Sequence, residues 1–80
     1  MRADSAGGPG SFPITDSDSL GALVRATRKA RGLTQAELAM ASNTGRRFIV
    51  DLERGKATCH LGAALHVLAM LGLDLEARAR

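Results

Sequence analysis

Two short helical patterns on either side of a tight turn, within the stretch GLTQAELAMASNTGRRFIVDLERGK from Gly32 to Lys56, constrain this chain more than any other feature. Thr34 opens a T-x-x-E run. Its hydroxyl can accept from the Glu37 amide while the Glu37 carboxylate accepts from the Thr34 amide, which starts a helix at Gln35. Gly32 can close a preceding helix, and Leu33 and Leu38 have the spacing of the hydrophobic staple that accompanies such a cap. Leu38 and Ala39 face inward, and Ser42-Asn43-Thr44 stops the run, with Asn43 the best non-glycine choice for a left-handed residue. A second helix begins near Gly45. Phe48, Ile49 and Leu52 form its apolar side, Arg46, Arg47, Val50 and Asp51 its opposite face, and Gly55 supplies the terminating left-handed position.

The remaining chain adds two helices and a tail. Ser17 and Asp18 can cap a helix running to about Arg31, with Leu20, Leu23 and Val24 inward and Thr27 continuing the stripe. Arg25, Lys29 and Arg31 lie outside that stripe. They either stay solvated near a helix end whose dipole they suit, or touch a phosphate backbone. Arg28 stands at the stripe's edge, where a permanent charge needs an anion, and Glu53 is the candidate. Thr58 can cap a further helix from about Cys59 to Leu71, with Leu61, Ala64, Leu65, Leu68 and Leu71 on one stripe and Gly72 ending it. Beyond it Leu73, Leu75 and Ala77 alternate with Asp74, Glu76 and Arg78, the period of a half-buried strand. A lone strand in a helical monomer has nothing to pair with, so the expectation is antiparallel pairing with the same strand of a second copy. Gly7, Gly8, Pro9 and Gly10 leave Met1 to Pro13 little to bury, and a disordered tail is expected there. The expected organisation is a tail over 1–15, a helical domain over 16–72 and a dimerising segment over 73–80.

Eighty residues allow one small domain, for which a second copy would add stability. The longest apolar-rich segment, Leu61 to Leu73, is broken by Gly62, His66 and Gly72 and is too short to span a bilayer. Neither do the basic residues form one face opposite aromatic anchors, so no membrane role is expected. The single cysteine, Cys59, excludes an internal disulfide framework and agrees with a cytoplasmic setting. No nucleophile, base and orienting group occur at a catalytic spacing, and no glycine-rich phosphate loop follows a strand, so no enzyme and no cofactor are expected. His60 and His66 diverge by about 600 degrees around a helix at about 100 degrees per residue, and with Cys59 they do not make a zinc site.

The net charge of +3 favours a polyanionic partner without choosing one. The paired helices choose duplex DNA, because a second helix set off by a tight turn is placed to enter a major groove. Arg46 and Arg47 lie on its first turn, where a guanidinium can donate two parallel hydrogen bonds to guanine O6 and N7, or clamp a phosphate instead. Asp51 either accepts from a cytosine amino group or orients Arg47 one turn earlier. Val50 can touch a thymine methyl. Gln35 and Gly45 at helix starts, and Arg54 and Lys56 past the far end of the second helix, are placed to hold phosphates.

From about Leu20 to Leu71 the chain resembles the Cro/repressor-like, or XRE, helix-turn-helix family. Within it GLTQAELA, GRRFIVDLERGK and LHVLAMLGLDL look most like the small HipB-type antitoxins. The resemblance implies an all-α, lambda-repressor-like domain of four or five helices with a short C-terminal dimerising β-strand. It implies a homodimer on a palindromic operator and a partner toxin of the HipA serine/threonine kinase type, in the bacterial cytoplasm and associated with the nucleoid. The family's functional positions fall on Gln35, Arg46, Arg47, Val50, Asp51, Arg54 and Lys56, and Arg28 with Glu53 matches a structural ion pair of the family. A stand-alone regulator without a toxin is the second reading. Asn43 stands where the family usually has glycine, and Thr44 where it usually has a branched apolar residue, which is expected to loosen the packing under the turn.

Overall fold

In the computed structural model, which describes residues 11–80, four helices follow one another: α1 (Ser17–Ala30), α2 (Gln35–Ala41), α3 (Arg46–Glu53) and α4 (Leu61–Met70). The disordered tail expected over 1–15 lies mostly outside the described residues.

All four helices stop by the same device. Past each C-cap stands one residue of positive φ, Gly32 (71°), Asn43 (56°), Gly55 (82°) or Gly72 (75°). Its amide and the next fold back onto the last turn: Gly32 N to Lys29 O and Leu33 N to Arg28 O, Asn43 N to Met40 O and Thr44 N to Ala39 O, Gly55 N to Leu52 O and Lys56 N to Asp51 O, Gly72 N to Ala69 O and Leu73 N to Leu68 O. Two otherwise orphan carbonyls are satisfied at each helix end, and the chain is turned sharply toward the next element. Left-handed backbone is open to glycine and tolerable for asparagine, which is why these four residues occupy it.

The helix starts are more varied. Thr34 and Glu37 form the expected capping box, with Glu37 N to Thr34 Oγ1 at 3.0 Å and Thr34 N to Glu37 Oε1 at 2.8 Å. For α1 the cap is Asp16, one residue ahead of the pair read from the sequence, and Ser19 completes the box. The Ser19 amide on the Asp16 carboxylate holds that carboxyl below its ordinary range. Helix α4 starts two residues later than expected. His60, not Thr58, is its cap, its Nδ1 accepting from Ala63 N at 3.1 Å, while Cys59 stays in the preceding loop and packs against the core.

The core consists of Val24, Leu38, Ala39, Ile49, Leu52, Ala64, Val67, Leu68 and Leu71, with Leu20, Leu33, Phe48, Cys59 and Leu73 packed around it. On α4 the buried stripe is Ala64, Val67, Leu68 and Leu71. Leu61 and Leu65, expected inward, are 67% and 41% exposed. Because α4 is apolar nearly all round, two stripes fit a 3.6-residue period, and only the position of the neighbouring helices selects between them.

Helix α3 packs against both α1 and α2. Its backbone comes close to α1 at Gly21, where a Cβ would fall 2.8 Å from the Glu53 carbonyl oxygen and press on that of Leu52. Glycine inside a helix costs about 1 kcal/mol relative to alanine, and here it admits the backbone of α3. Ser42, almost fully buried, donates to Leu38 O at 2.7 Å and pairs with the Thr44 hydroxyl at 3.1 Å. Thr44, half-buried, thus gives the Ser42 hydroxyl a polar partner under the turn.

No strand forms past Gly72 in this single chain. Leu73 is half-buried against the core, whereas Leu75 and Ala77 are exposed. An isolated strand has no ladder partner within one protomer, so the alternating pattern is not expressed in the monomer.

Candidate nucleic-acid interface

Helix α3 presents its first turn to solvent. Gly45, extended at φ −86° and ψ 154°, is its N-cap and provides no side-chain acceptor, and a Cβ there would meet nothing within 4 Å. Arg46 and Arg47 follow, both exposed, while Phe48 half-buries against the core and Ile49 and Leu52 are buried. One face anchors the helix and the opposite face is left free, the division the sequence pattern predicts.

Beside that free face runs an open groove of about 570 Å³, lined by Arg25 of α1, Gln35 of α2, Arg46, Arg47, Val50 and Glu53 of α3, and Arg54 just after it. Four guanidiniums converge there with one carboxylate, and that carboxylate is already engaged. Arg28 reaches Glu53 from behind, Nε to Oε2 at 2.6 Å and Nη2 to Oε1 at 3.0 Å, and its Nη1 donates to Leu33 O at 2.8 Å. The two side chains are 9% and 3% exposed. Hydrogen bonding to Glu53 raises the Arg28 pKa above the usual arginine range, outweighing the opposing effect of burial. The Gln35 amide also donates to Glu53 Oε1, at 3.2 Å. The three residues join α1, α2 and α3 at the floor of the groove and leave the four arginines' charge uncompensated by Glu53.

Asp51 pairs with Arg47 one turn earlier, at 3.2 Å, and with Lys56 at 3.6 Å. Of the two roles open to it in the sequence, this geometry displays the orienting one. Lys56, read as a phosphate holder, is tied to Asp51 in the free chain, and Gln35, read the same way, lines the groove with its amide nitrogen on Glu53. Arg54 and half-buried Val50 also line the groove, whereas Gly45, the N-cap of α3, does not. Arg25 is the groove residue that sequence reasoning left undecided. It stands three positions before Arg28 on α1, so the pairing of Arg28 with α3 already implied that Arg25 lies near that helix.

Cys59 is half-buried and His60 is spent as a cap, and among the described residues no three His, Cys, Asp or Glu side chains gather where a metal ion could sit. No described helix is long and apolar enough to cross a membrane.

A family model described as a helix-turn-helix domain matches residues 19–80. The chain belongs to the helix-turn-helix family. Within it, the chain is 51% identical over 57 residues to an uncharacterized HTH-type transcriptional regulator of Sinorhizobium fredii, covering 71% of this chain and 75% of that protein. It is also 34% identical over 59 residues to the immunity repressor protein of Bacillus phage phi105, covering 74% of this chain and 41% of the repressor. Among solved structures, its fold is similar to that of a HipB–O4 20mer complex, at a TM-score of 0.76 and 22% identity over 84% of this chain and 94% of that one. A HipA–HipB–O2–O3 complex matches at a TM-score of 0.77 and 22% identity, with the same coverage. The fold is thus the all-α, Cro/repressor-like helix-turn-helix, with α2 and α3 as its two motif helices.

Proposed function

We propose that this helix-turn-helix protein is a cytoplasmic, sequence-specific DNA-binding repressor and the antitoxin of a toxin–antitoxin pair, acting on DNA by binding and not by catalysis. The observation that carries the DNA-binding reading is the groove, where Arg25, Arg46, Arg47 and Arg54 converge beside an exposed helix start and the lone carboxylate is already paired. Arg46 and Arg47 read base edges in the major groove, Val50 lies against them, and Asp51 holds Arg47. Gln35, Gly45 and Arg54 hold phosphates, joined by Lys56 once duplex contacts compete with Asp51. The test is binding of the purified chain to its own upstream DNA against random duplex of equal length, at two salt concentrations. Selective binding that weakens steeply with salt is expected; equal, weak binding to both would overturn the reading.

The operator is palindromic on this reading because two copies pair through Leu73, Leu75 and Ala77. Leu75, 52% exposed beside the half-buried Leu73, supports this edge. Truncation after Leu73 keeps the bond that closes α4, from Leu73 N to Leu68 O. The truncated chain is expected to sediment as a folded monomer and to lose about 10²- to 10⁴-fold in operator affinity, the scale of a lost bivalent attachment. An unchanged dimer would remove the ribbon.

The second partner on this reading is a HipA-like serine/threonine kinase. The similarity in fold to the HipB chain of a HipA–HipB complex supports it. Purification from cells that carry the neighbouring reading frame should retain a second protein at high salt, where DNA-bridged association is lost. Recovery of this chain alone would leave a stand-alone regulator.

A further inference from the structure

We infer that α1 belongs to the duplex-binding surface, with Arg25 and Lys29 gripping the sugar-phosphate backbone beside the bases that α3 reads. This rests on the DNA-binding reading above and extends it to a helix outside the two motif helices. Arg25 lines the main groove and also a second, shallower depression of about 220 Å³, shared with Ala22, Ala26 and Lys29. It thus joins the recognition face to the outer face of α1. Lys29 follows four residues later, one turn along the same face, where Cβ atoms are about 5–6 Å apart and two long basic side chains can take neighbouring phosphates of one strand. The other two residues of that depression, Ala22 and Ala26, carry only methyl groups, which let a backbone approach closely.

The charges point the same way. Among the described residues Arg25, Lys29, Arg46 and Arg54 take part in no ion pair, whereas Arg28 and Arg47 do. Like charges collected on one side of a small domain repel until a repeating polyanion neutralises them. The third basic residue near the end of α1 separates from this row. Arg31 lies over the far end of α4, its Nη2 2.8 Å from where a Cβ on Gly72 would stand. Of the three basic residues that the sequence left between solvent and phosphate, two therefore share the recognition side and one does not.

Each phosphate contact contributes about 0.9 to the slope of log affinity against log salt, or about 3.5-fold for a fourfold change in salt. The test is fluorescence anisotropy of the full chain on its own upstream duplex and on a random duplex, from 50 to 200 mM salt. The variants are Arg25→Ala, Lys29→Ala, their combination, and Arg31→Ala as a control that removes the same charge from the end of α1 that lies over α4. The single variants are expected to lower the salt slope by about 0.9 each and the pair by about 1.8, with the preference for upstream over random duplex retained. Arg31→Ala should leave the slope alone, and circular dichroism should report an unchanged fold for these exposed sites. If the wild type binds selectively and the Arg25 and Lys29 variants follow Arg31→Ala, the inference about α1 fails alone. If the wild type shows no selective binding, the underlying reading fails first.

Discussion

Arg28→Met is expected to destabilise the domain by about 3–5 kcal/mol, the cost of removing one partner of a buried ion pair. The geometry puts this pair at the upper end of what salt bridges do. Both side chains are less than one-tenth exposed, the guanidinium meets the carboxylate through two nitrogens, and its third nitrogen satisfies the Leu33 carbonyl. Methionine fills similar volume but leaves the Glu53 carboxylate buried with only the Gln35 amide, and leaves Leu33 O without its donor. A domain of this size is stable by roughly 5–15 kcal/mol at most, so much of its stability is at stake. Urea denaturation followed by circular dichroism measures the loss. The companion variant Arg28→Met/Glu53→Leu removes both charges and should recover most of it, because replacing a whole buried pair by apolar groups is often neutral or stabilising. A single variant within about 0.5 kcal/mol of the parent, or a double variant no better than the single one, would show that the pair does not hold α1 to α3.

The pair was legible in the sequence because both residues are chemically conspicuous. Arg28 interrupts an apolar stripe with a charge, and Glu53 lies on the one other helix end near enough to answer it. The helix ends were legible for a related reason. Gly32, Asn43, Gly55 and Gly72 are the residues for which left-handed backbone is cheap, and each stands just past a stretch with helical periodicity. The helix starts were less so, since Asp16, Ser17 and Asp18 are all competent caps and only the box with Ser19 selects Asp16. His60 was missed because imidazole caps a helix only as a neutral acceptor, a role less common than that of Thr58 two residues before it. Gly21 carries no apolar signal, so the close backbone approach of α3 to α1 there left no trace in hydrophobic periodicity. Arg25 shows the limit for the site. A charged residue outside the stripe reads as solvent-facing; its spacing from Arg28 places it near α3, but the groove that it lines forms only where α2 and α3 pack.

An Arg46→Ala/Arg47→Ala variant is expected to bind random duplex more weakly by a modest factor and to lose nearly all preference for its own upstream DNA. The two effects separate because the arginines carry two kinds of energy. As charges near phosphates, they contribute to a salt-dependent affinity that any duplex elicits, and removing them should lower the salt slope by at most about 1 each. As bidentate donors to guanine, they discriminate between bases, at about 1–3 kcal/mol per contact. Two such contacts amount to about 2–6 kcal/mol, or roughly 30-fold to 10⁴-fold in the ratio of upstream to random binding. The structure also ranks the pair. Asp51 holds Arg47 in place before DNA arrives, whereas Arg46 takes part in no ion pair among the described residues. Arg47→Ala alone should therefore cost more discrimination than Arg46→Ala, because a pre-oriented guanidinium loses less conformational freedom on binding. Asp51→Ala should move toward the Arg47→Ala phenotype while raising affinity for random duplex, since it removes a negative charge from the DNA-facing side. Anisotropy titrations on both duplexes at a common salt concentration read all four variants. If discrimination survives the double substitution and only the salt slope falls, both arginines are phosphate clamps, and sequence must be read by the remaining groove residues or through the shape of the DNA.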